Sequence, residues 1–113
     1  MPQLNEVLYK ERLHEAVTLF RIYAPEIAGR VKAGQFVVIR ANETAERLPL
    51  TVAEADPADG SIAIIFQEVG VSTRKLGRME QGERIADVLG PLGRPTEVHK
   101  VTVARQILKR YRP

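Results

Sequence analysis

Leu48-Pro49-Leu50-Thr51-Val52, Ala55-Asp56-Pro57-Ala58-Asp59-Gly60 and Ile62-Ala63-Ile64-Ile65-Phe66-Gln67 follow one another along the chain and decide its fold. The middle segment is a turn, because Asp-Gly supplies residues that tolerate positive φ. The flanking segments are then two arms of a β-hairpin. Pro49 lacks an N–H, so the first arm has an irregular start or one free edge.

The same alternation of short apolar runs and turns extends outward from this hairpin. Leu4 to Leu13 reads as a first strand and Ala16 to Tyr23 as a second, with Ala24-Pro25 stopping it. Lys32-Ala33-Gly34-Gln35 is a turn into Phe36-Val37-Val38-Ile39-Arg40, a strand apolar on both faces and therefore expected to be covered on both. Ala41 to Glu46 is a polar loop. Beyond the hairpin, Gly70 breaks the pattern, and Ser72 or Thr73 caps a short helix carrying Leu76 and Met79 on one face. Gln81-Gly82 turns the chain into a last strand, Ile85 to Leu89, which Gly90-Pro91-Leu92-Gly93 ends. This spacing of strands and turns predicts a mainly β domain over 1–98: a six-stranded antiparallel Greek-key barrel with one short helix. Residues 99–113 form a separate basic tail, in which Val101-Thr102-Val103 starts a strand while Ala104, Ile107, Leu108 and Tyr111 share one helical face.

Composition narrows the chemistry. The chain has 113 residues, 44% of them apolar, enough for one modest core and wrong for a disordered chain. It has no cysteine, which excludes disulfides, thiolate metal sites, iron–sulfur clusters and cysteine nucleophiles within the chain. Its histidines, His14 and His99, are 85 residues apart, so no metal cluster is read. Ile62 to Phe66, the longest aliphatic or aromatic run, is far short of the ~20 residues of a membrane span. The N-terminus has neither a basic nor an apolar stretch, and the expected location is the cytoplasm.

Charge is uneven. Residues 1–97 hold 12 Lys or Arg and 14 Asp or Glu, a balance of −2, while residues 98–113 hold five basic residues and no acid, giving the overall +3. The body has no basic stripe interleaved with aromatics, so RNA binding through the tail ranks last among the readings.

Three segments invite a ligand. At Arg47-Leu48-Pro49-Leu50-Thr51, a strand that opens with proline leaves backbone groups for the edge of a flat heterocycle. Thr51 adds a hydroxyl and Arg47 a fork of donors for a phosphate. The same residues also fit an ordinary edge strand with a solvated arginine. Gly70-Val71-Ser72-Thr73 heads the short helix, where free N–H groups and the positive dipole end suit an anion; a plain N-cap fits equally. Leu89-Gly90-Pro91-Leu92-Gly93 either approaches a ligand or a second domain, or simply closes the barrel. Glu43 and Glu46 read as solvated loop residues, Ser72 has no histidine beside it, and no Walker or G-x-G-x-x-G sequence occurs. No catalytic residue is assigned.

Gly34-Gln35-Phe36-Val37, Arg47 to Thr51, Ile64 to Gly70, Ser72-Thr73 and Gly90-Pro91-Leu92-Gly93, in this order, resemble the N-terminal flavin domain of the ferredoxin–NADP reductase superfamily. The likeness is strongest to the branch with the electron-transfer subunit of dihydroorotate dehydrogenase and the ferredoxin:NADP oxidoreductase or sulfide dehydrogenase subunits, and covers residues 4 to about 98. It implies FAD as cofactor. Arg47-Leu48-Pro49-Leu50-Thr51 matches the family's R-x-Y-S/T flavin motif, placing Thr51 and the backbone at Leu50 against the isoalloxazine ring. Ile65, Phe66 and Gln67 match the strand that contacts the ribityl and adenosine part, and Ser72 and Thr73 match the pair that binds pyrophosphate. Alignment on Thr51 puts Leu48 at the motif arginine, with Arg47 one residue early; Leu50 replaces an aromatic and Gln67 a frequent arginine.

Family members continue into a nicotinamide-binding domain. Here Lys100 to Ala104 resembles that domain's first strand, but Arg105-Gln106-Ile107-Leu108-Lys109 stands where its glycines should be. The resemblance implies an electron-transfer module, truncated or split, whose hydride supply from NAD(P)H needs a nicotinamide-binding domain or subunit and whose electrons leave toward an iron–sulfur oxidoreductase partner. A barrel wall that such a domain would cover implies self-association. The alternative is a cofactor-free assembly or regulatory module that docks on a larger oxidoreductase.

Overall fold

The central hairpin forms as its sequence dictates, and the computed structural model, which describes residues 1–95, builds the rest of the sheet around it. The elements are β1 (Val7–His14), β2 (Val17–Tyr23), α1 (Pro25–Arg30), β3 (Phe36–Arg40), β4 (Leu48–Asp56), β5 (Ser61–Gln67), α2 (Val71–Gly77) and β6 (Asp87–Leu92). The turn between β4 and β5 is set by Asp56 and Asp59, whose carboxylates accept the N–H groups of Ala58 and Ser61, each at 3.0 Å. Gly60 closes it at φ +71, with no room for a side chain beside Tyr23 and Pro25.

Six antiparallel strands make one sheet in the order β1-β2-β5-β4-β3-β6. The order is non-sequential, with β5 inserted between β2 and β4, as a Greek key requires. Among the described residues no strand ladder closes the sheet. Its edges meet through the Glu6–Arg84 bridge, where the Val7 N–H donates to Glu83 O at 2.8 Å and the Ile85 N–H to Asn5 O at 2.9 Å. Inside lie Val7, Phe20, Ile22, Val37, Ile39, Ile62, Ile64, Phe66, Leu76 and Ile85. Phe20 and Phe66 pack edge to face, centroids 5.2 Å apart. A smaller cluster on the opposite face of the sheet joins Leu13, Val17, Leu19 and Ala63, so β2 and β5 are covered on both sides.

Several sequence expectations shift. The first strand begins at Val7, not Leu4, because Asn5 takes φ +68 and its neighbours seal the barrel seam. Ala24-Pro25 ends β2 but also starts a second helix, α1: proline at the first helical position loses no hydrogen bond, and Ile27 and Ala28 bury one face. On β3 only Val37 and Ile39 are buried, while Phe36 and Val38 are half-covered, so this strand alternates. The last strand runs Asp87–Leu92, through Gly90-Pro91 rather than stopping before it. Phe36 pairs with Leu92 and Val38 with Leu89, so three β6 steps span two on β3; a bulge on an edge strand is where proline is tolerated. The features expected over the basic tail, 99–113, lie outside the described residues. No helix among the described residues is long and apolar enough to cross a membrane.

One clamp fixes α2 to the sheet. Glu68, just past β5, donates its N–H to Ala16 O at 2.7 Å, and its carboxylate accepts the hydroxyl of fully buried Thr18 at 2.6 Å. Arg12 lies 3.6 Å from the same carboxylate. The carboxylate lies on Gly77, where a Cβ would collide with it, and Lys10 Nζ donates to Gly77 O at 2.8 Å. Gly77→Ala is expected to push the carboxylate off Thr18 and lower stability by about 2 kcal/mol, the worth of a charge-assisted hydrogen bond. In a Glu68→Ala background the same change should be nearly neutral, because alanine suits a helix better than glycine. Chemical denaturation of the double-mutant cycle checks the coupling.

Candidate functional site

The hairpin ladder does not run the full length of its strands. β4 and β5 pair from Asp56–Ser61 to Val52–Ile64, with a bulge between Val52 and Glu54. Beyond that point Leu48 to Thr51 pair with β3 only, and Ile65 to Gln67 with β2 only. The strands part, and the backbone edges that face each other across the gap have no ladder partner. Pro49 is one reason, since it has no N–H to offer a further rung.

Into this parted end comes the first turn of α2. The cleft measures about 550 Å³ and is lined by Thr44, Glu46, Leu48, Val69–Thr73 and Lys75. The first turn of a helix leaves its N–H groups without intrahelical acceptors, here those of Val71, Ser72 and Thr73. Val69 and Val71 stand at the rim, each about 70% exposed.

The expected site residues divide by what they have left to offer. Leu48 and Leu50 turn inward and pack on the core, while Pro49 and Thr51 face solvent. Thr51 and Gln67 make no hydrogen bond with the described residues through their side chains, and exposed Arg47 has neither a hydrogen bond nor an ion pair there. Ile65 is half-buried against the outer cluster. Phe66 is 4% exposed and held in the core, so it offers a ligand its backbone only. Thr73 is already engaged: its hydroxyl accepts the N–H groups of Val69 and Gly70 at 3.0 Å and donates to Gly70 O at 3.1 Å. It is the N-cap device of α2, sitting at N3 rather than at the cap itself, with Gly70 in the cap position. Ser72 donates to Glu46 Oε2 at 3.3 Å across the cleft. Leu48 to Thr51 and Ile65 to Gln67 thus lie on the separated arms of the hairpin, but of the expected site residues only Leu48, Ser72 and Thr73 line the cleft. Leu89 to Gly93 lies apart, on or just past β6 beyond β3, where Gly93 O accepts the Gln35 side chain at 2.9 Å.

Sequence reasoning missed Glu46, Glu68 and Lys75. Glu46 looks like any acid on a polar loop; only the approach of loop and helix gives it a partner. For Glu68 there were signals: Thr18 is a small hydroxyl residue beside Val17, Leu19 and Phe20, and Gly77 interrupts a helical pattern.

No family model matches the chain. It is 42% identical over 95 residues to the dihydroorotate dehydrogenase B (NAD(+)) electron transfer subunit homolog of Thermotoga maritima, a match covering 84% of this chain and 34% of that protein. To the dihydroorotate dehydrogenase B electron transfer subunit of Desulforamulus reducens it is 36% identical over 88 residues, covering 72% and 33%. The chain therefore spans about a third of the length of these curated relatives. Among solved structures, a chain of the NADH-dependent reduced ferredoxin-NADP oxidoreductase, described for flavin-based electron bifurcation, superposes with a TM-score of 0.85 at 35% identity, covering 98% of this chain and 46% of that one. The cytochrome b5 reductase domain of Ulva prolifera nitrate reductase, at 24% identity and a TM-score of 0.63, covers 82% of this chain and 43% of that one and shares the fold.

The engaged and free hydroxyls should separate by stability. Thr73→Val leaves the Val69 and Gly70 N–H groups without their acceptor and is expected to lower unfolding free energy by about 1–2 kcal/mol. Thr51→Ala, at an exposed hydroxyl with no partner among the described residues, should change it by less than about 0.5 kcal/mol. Equal losses in thermal denaturation would contradict this assignment. Sequence likeness to the dihydroorotate dehydrogenase electron-transfer subunits and the shared six-stranded fold together make this barrel a member of the ferredoxin–NADP reductase superfamily, as an N-terminal barrel domain of that branch.

Proposed function

We propose that the barrel is the FAD-binding part of an electron-transfer module in a flavin oxidoreductase. The observation that carries this reading is the parting of β4 from β5 in front of the first turn of α2. Two unpaired backbone edges suit the hydrogen-bonding rim of a flat heterocycle, and the adjoining N–H groups suit a pyrophosphate. A flavin dinucleotide offers both in one molecule. Its flavin accepts a hydride and releases single electrons, chemistry that belongs to the cofactor rather than to any side chain here.

The chain's own part is to hold and orient. Arg47 to Thr51 and Ile65 to Gln67 would receive the ring and ribityl portions, with Thr51 contributing a hydroxyl beside the backbone of Leu50. Ser72 and the first-turn N–H groups would receive phosphate oxygens. Thr73 serves that site indirectly, by shaping the turn that presents those groups. Lys75, which lines the cleft, would supply positive charge near it, and Arg47, just before β4, would add a second. Leu50 packs inward, so ring stacking is not its task.

Hydride delivery from NAD(P)H belongs, in this proposal, to a nicotinamide-binding domain or subunit, and onward transfer to an iron–sulfur partner. The half-exposed Leu89 and Leu92 on edge strand β6 give such a neighbour, or a second copy, an apolar contact. The alternative of a cofactor-free docking module draws support from Glu46, which presents a carboxylate where the pyrophosphate would lie.

Titration with FAD under fluorescence detection separates the two. The flavin reading predicts saturable binding that Thr51→Ala weakens by about threefold to tenfold, one hydrogen bond's worth. No binding at high micromolar FAD would move the function to partner docking.

A further inference from the structure

A groove of about 330 Å³ lies between the start of α1 and the start of β6. β6 pairs with β3 alone, and no residue of β3 lines the groove. Its lining is apolar at Leu4, Pro25, Ile27, Val88 and Leu89, and two of these, Leu4 and Leu89, are half-exposed. Apolar surface gathered around a groove marks a contact site more often than leucines scattered singly. The charged residues in the lining are both acids, Glu26 and Asp87. Arg40 holds Asp87 at 2.7 Å, whereas Glu26 is exposed and bonds no other described residue through its side chain. Arg84 spends its Nε on Leu4 O at 3.1 Å. The groove therefore suits an occupant that is both apolar and basic.

One segment of this chain has that composition. Residues 98–113 place Val101, Val103, Ile107 and Leu108 among five basic residues and no acid. The described chain leaves β6 at Leu92, and Gln35 holds Gly93 O at 2.9 Å. From Gly93 back to Val88 is about 17 Å along the strand, at about 3.3 Å per residue. Residues 94–100 span up to about 23 Å when extended, so the chain from Val101 onward can reach the groove.

We propose that residues 101–111 dock in this groove as an intramolecular cover for the α1–β6 face, apolar residues against Leu4 and Leu89 and basic ones near Glu26. This inference does not depend on the flavin reading. A short tether supplies a local concentration of roughly millimolar, so a contact too weak to hold two separate chains suffices here. A partner that takes the same face has to displace the segment first. The segment is then a competitor for that face as well as its cover.

The chain has no cysteine, so Gln106→Cys gives a nitroxide one attachment point and leaves the apolar and basic residues of the segment in place. The test compares amide signals of the isotope-labelled full chain with the nitroxide oxidised and reduced, in dilute solution. Leu4, Asn5, Glu26, Ile27, Val88 and Leu89 are expected to lose most of their intensity, while α2 and the turn between β1 and β2 keep theirs. Adding Ile107→Asp and Leu108→Asp should restore the groove signals. Glu26→Lys should restore them in part, with a difference that shrinks in high salt. Unchanged chemical shifts along the β1–β2 ladder report that each variant keeps its barrel. Broadening centred elsewhere, or spread thinly over the whole surface, would overturn the proposal. Groove broadening between a nitroxide-bearing chain without isotope and an isotope-labelled chain without nitroxide would also overturn it, assigning the groove to a second copy.

Discussion

Everything distinctive about this barrel depends on where the ladder between β4 and β5 stops. Sheets gain by pairing every backbone group, and a hairpin with so tight a turn would ordinarily zip to its ends. Here the pairing is lost after Val52–Ile64. A bulge beside Val52 changes the twist, and Pro49 has no N–H for a further rung. The separated arms do not fray, because each keeps a partner on its far side: β3 holds Leu48 to Thr51, and β2 holds Ile65 to Gln67. The result is a gap whose two walls are each held by a further strand and whose facing backbone edges have no ladder partner among the described residues, leaving those groups to water or a ligand.

The slot has its shape because α2 is held at its mouth. Leu76 buries fully in the core, which fixes the helix near its C-terminal end. The Glu68 carboxylate, bonded to Thr18 and seated on Gly77, locks the helix against β2, and Lys10 holds its C-terminal carbonyl end. At the other end the Thr73 hydroxyl ties down Val69 and Gly70. A seven-residue helix has little stability of its own. These tertiary contacts, more than its propensity, keep the N–H groups of its first turn directed at the cleft.

Much of this was legible from local chemistry. Asp-Gly fixed the central hairpin, and the free edge at Pro49 followed from a missing N–H. The family resemblance set the order of motifs and hence which segments meet. What escaped was whatever depends on neighbours distant in sequence. Proline at 25 reads as a stop, and only the burial of Ile27 and Ala28 turns it into a helix start. Gly90-Pro91 reads as an end, and only pairing with β3 shows a bulged edge strand. Ser72 and Thr73 look alike on paper, yet one hydroxyl shapes the turn and the other reaches across the cleft. Glu46 carried no signal at all, because its meaning comes from a residue 26 positions away.

In the proposed reading the parted end of the hairpin, and no other surface, receives FAD. Amide hydrogen exchange followed with and without FAD tests it most directly, since unpaired edge amides exchange fast until something bonds them. FAD addition is expected to bring protection confined to residues 48, 50–51, 65–67 and 70–73, with the β1–β2 and β3–β6 ladders unaffected. Protection concentrated elsewhere, such as around α1 and β6, or none at a saturating FAD concentration, would contradict it.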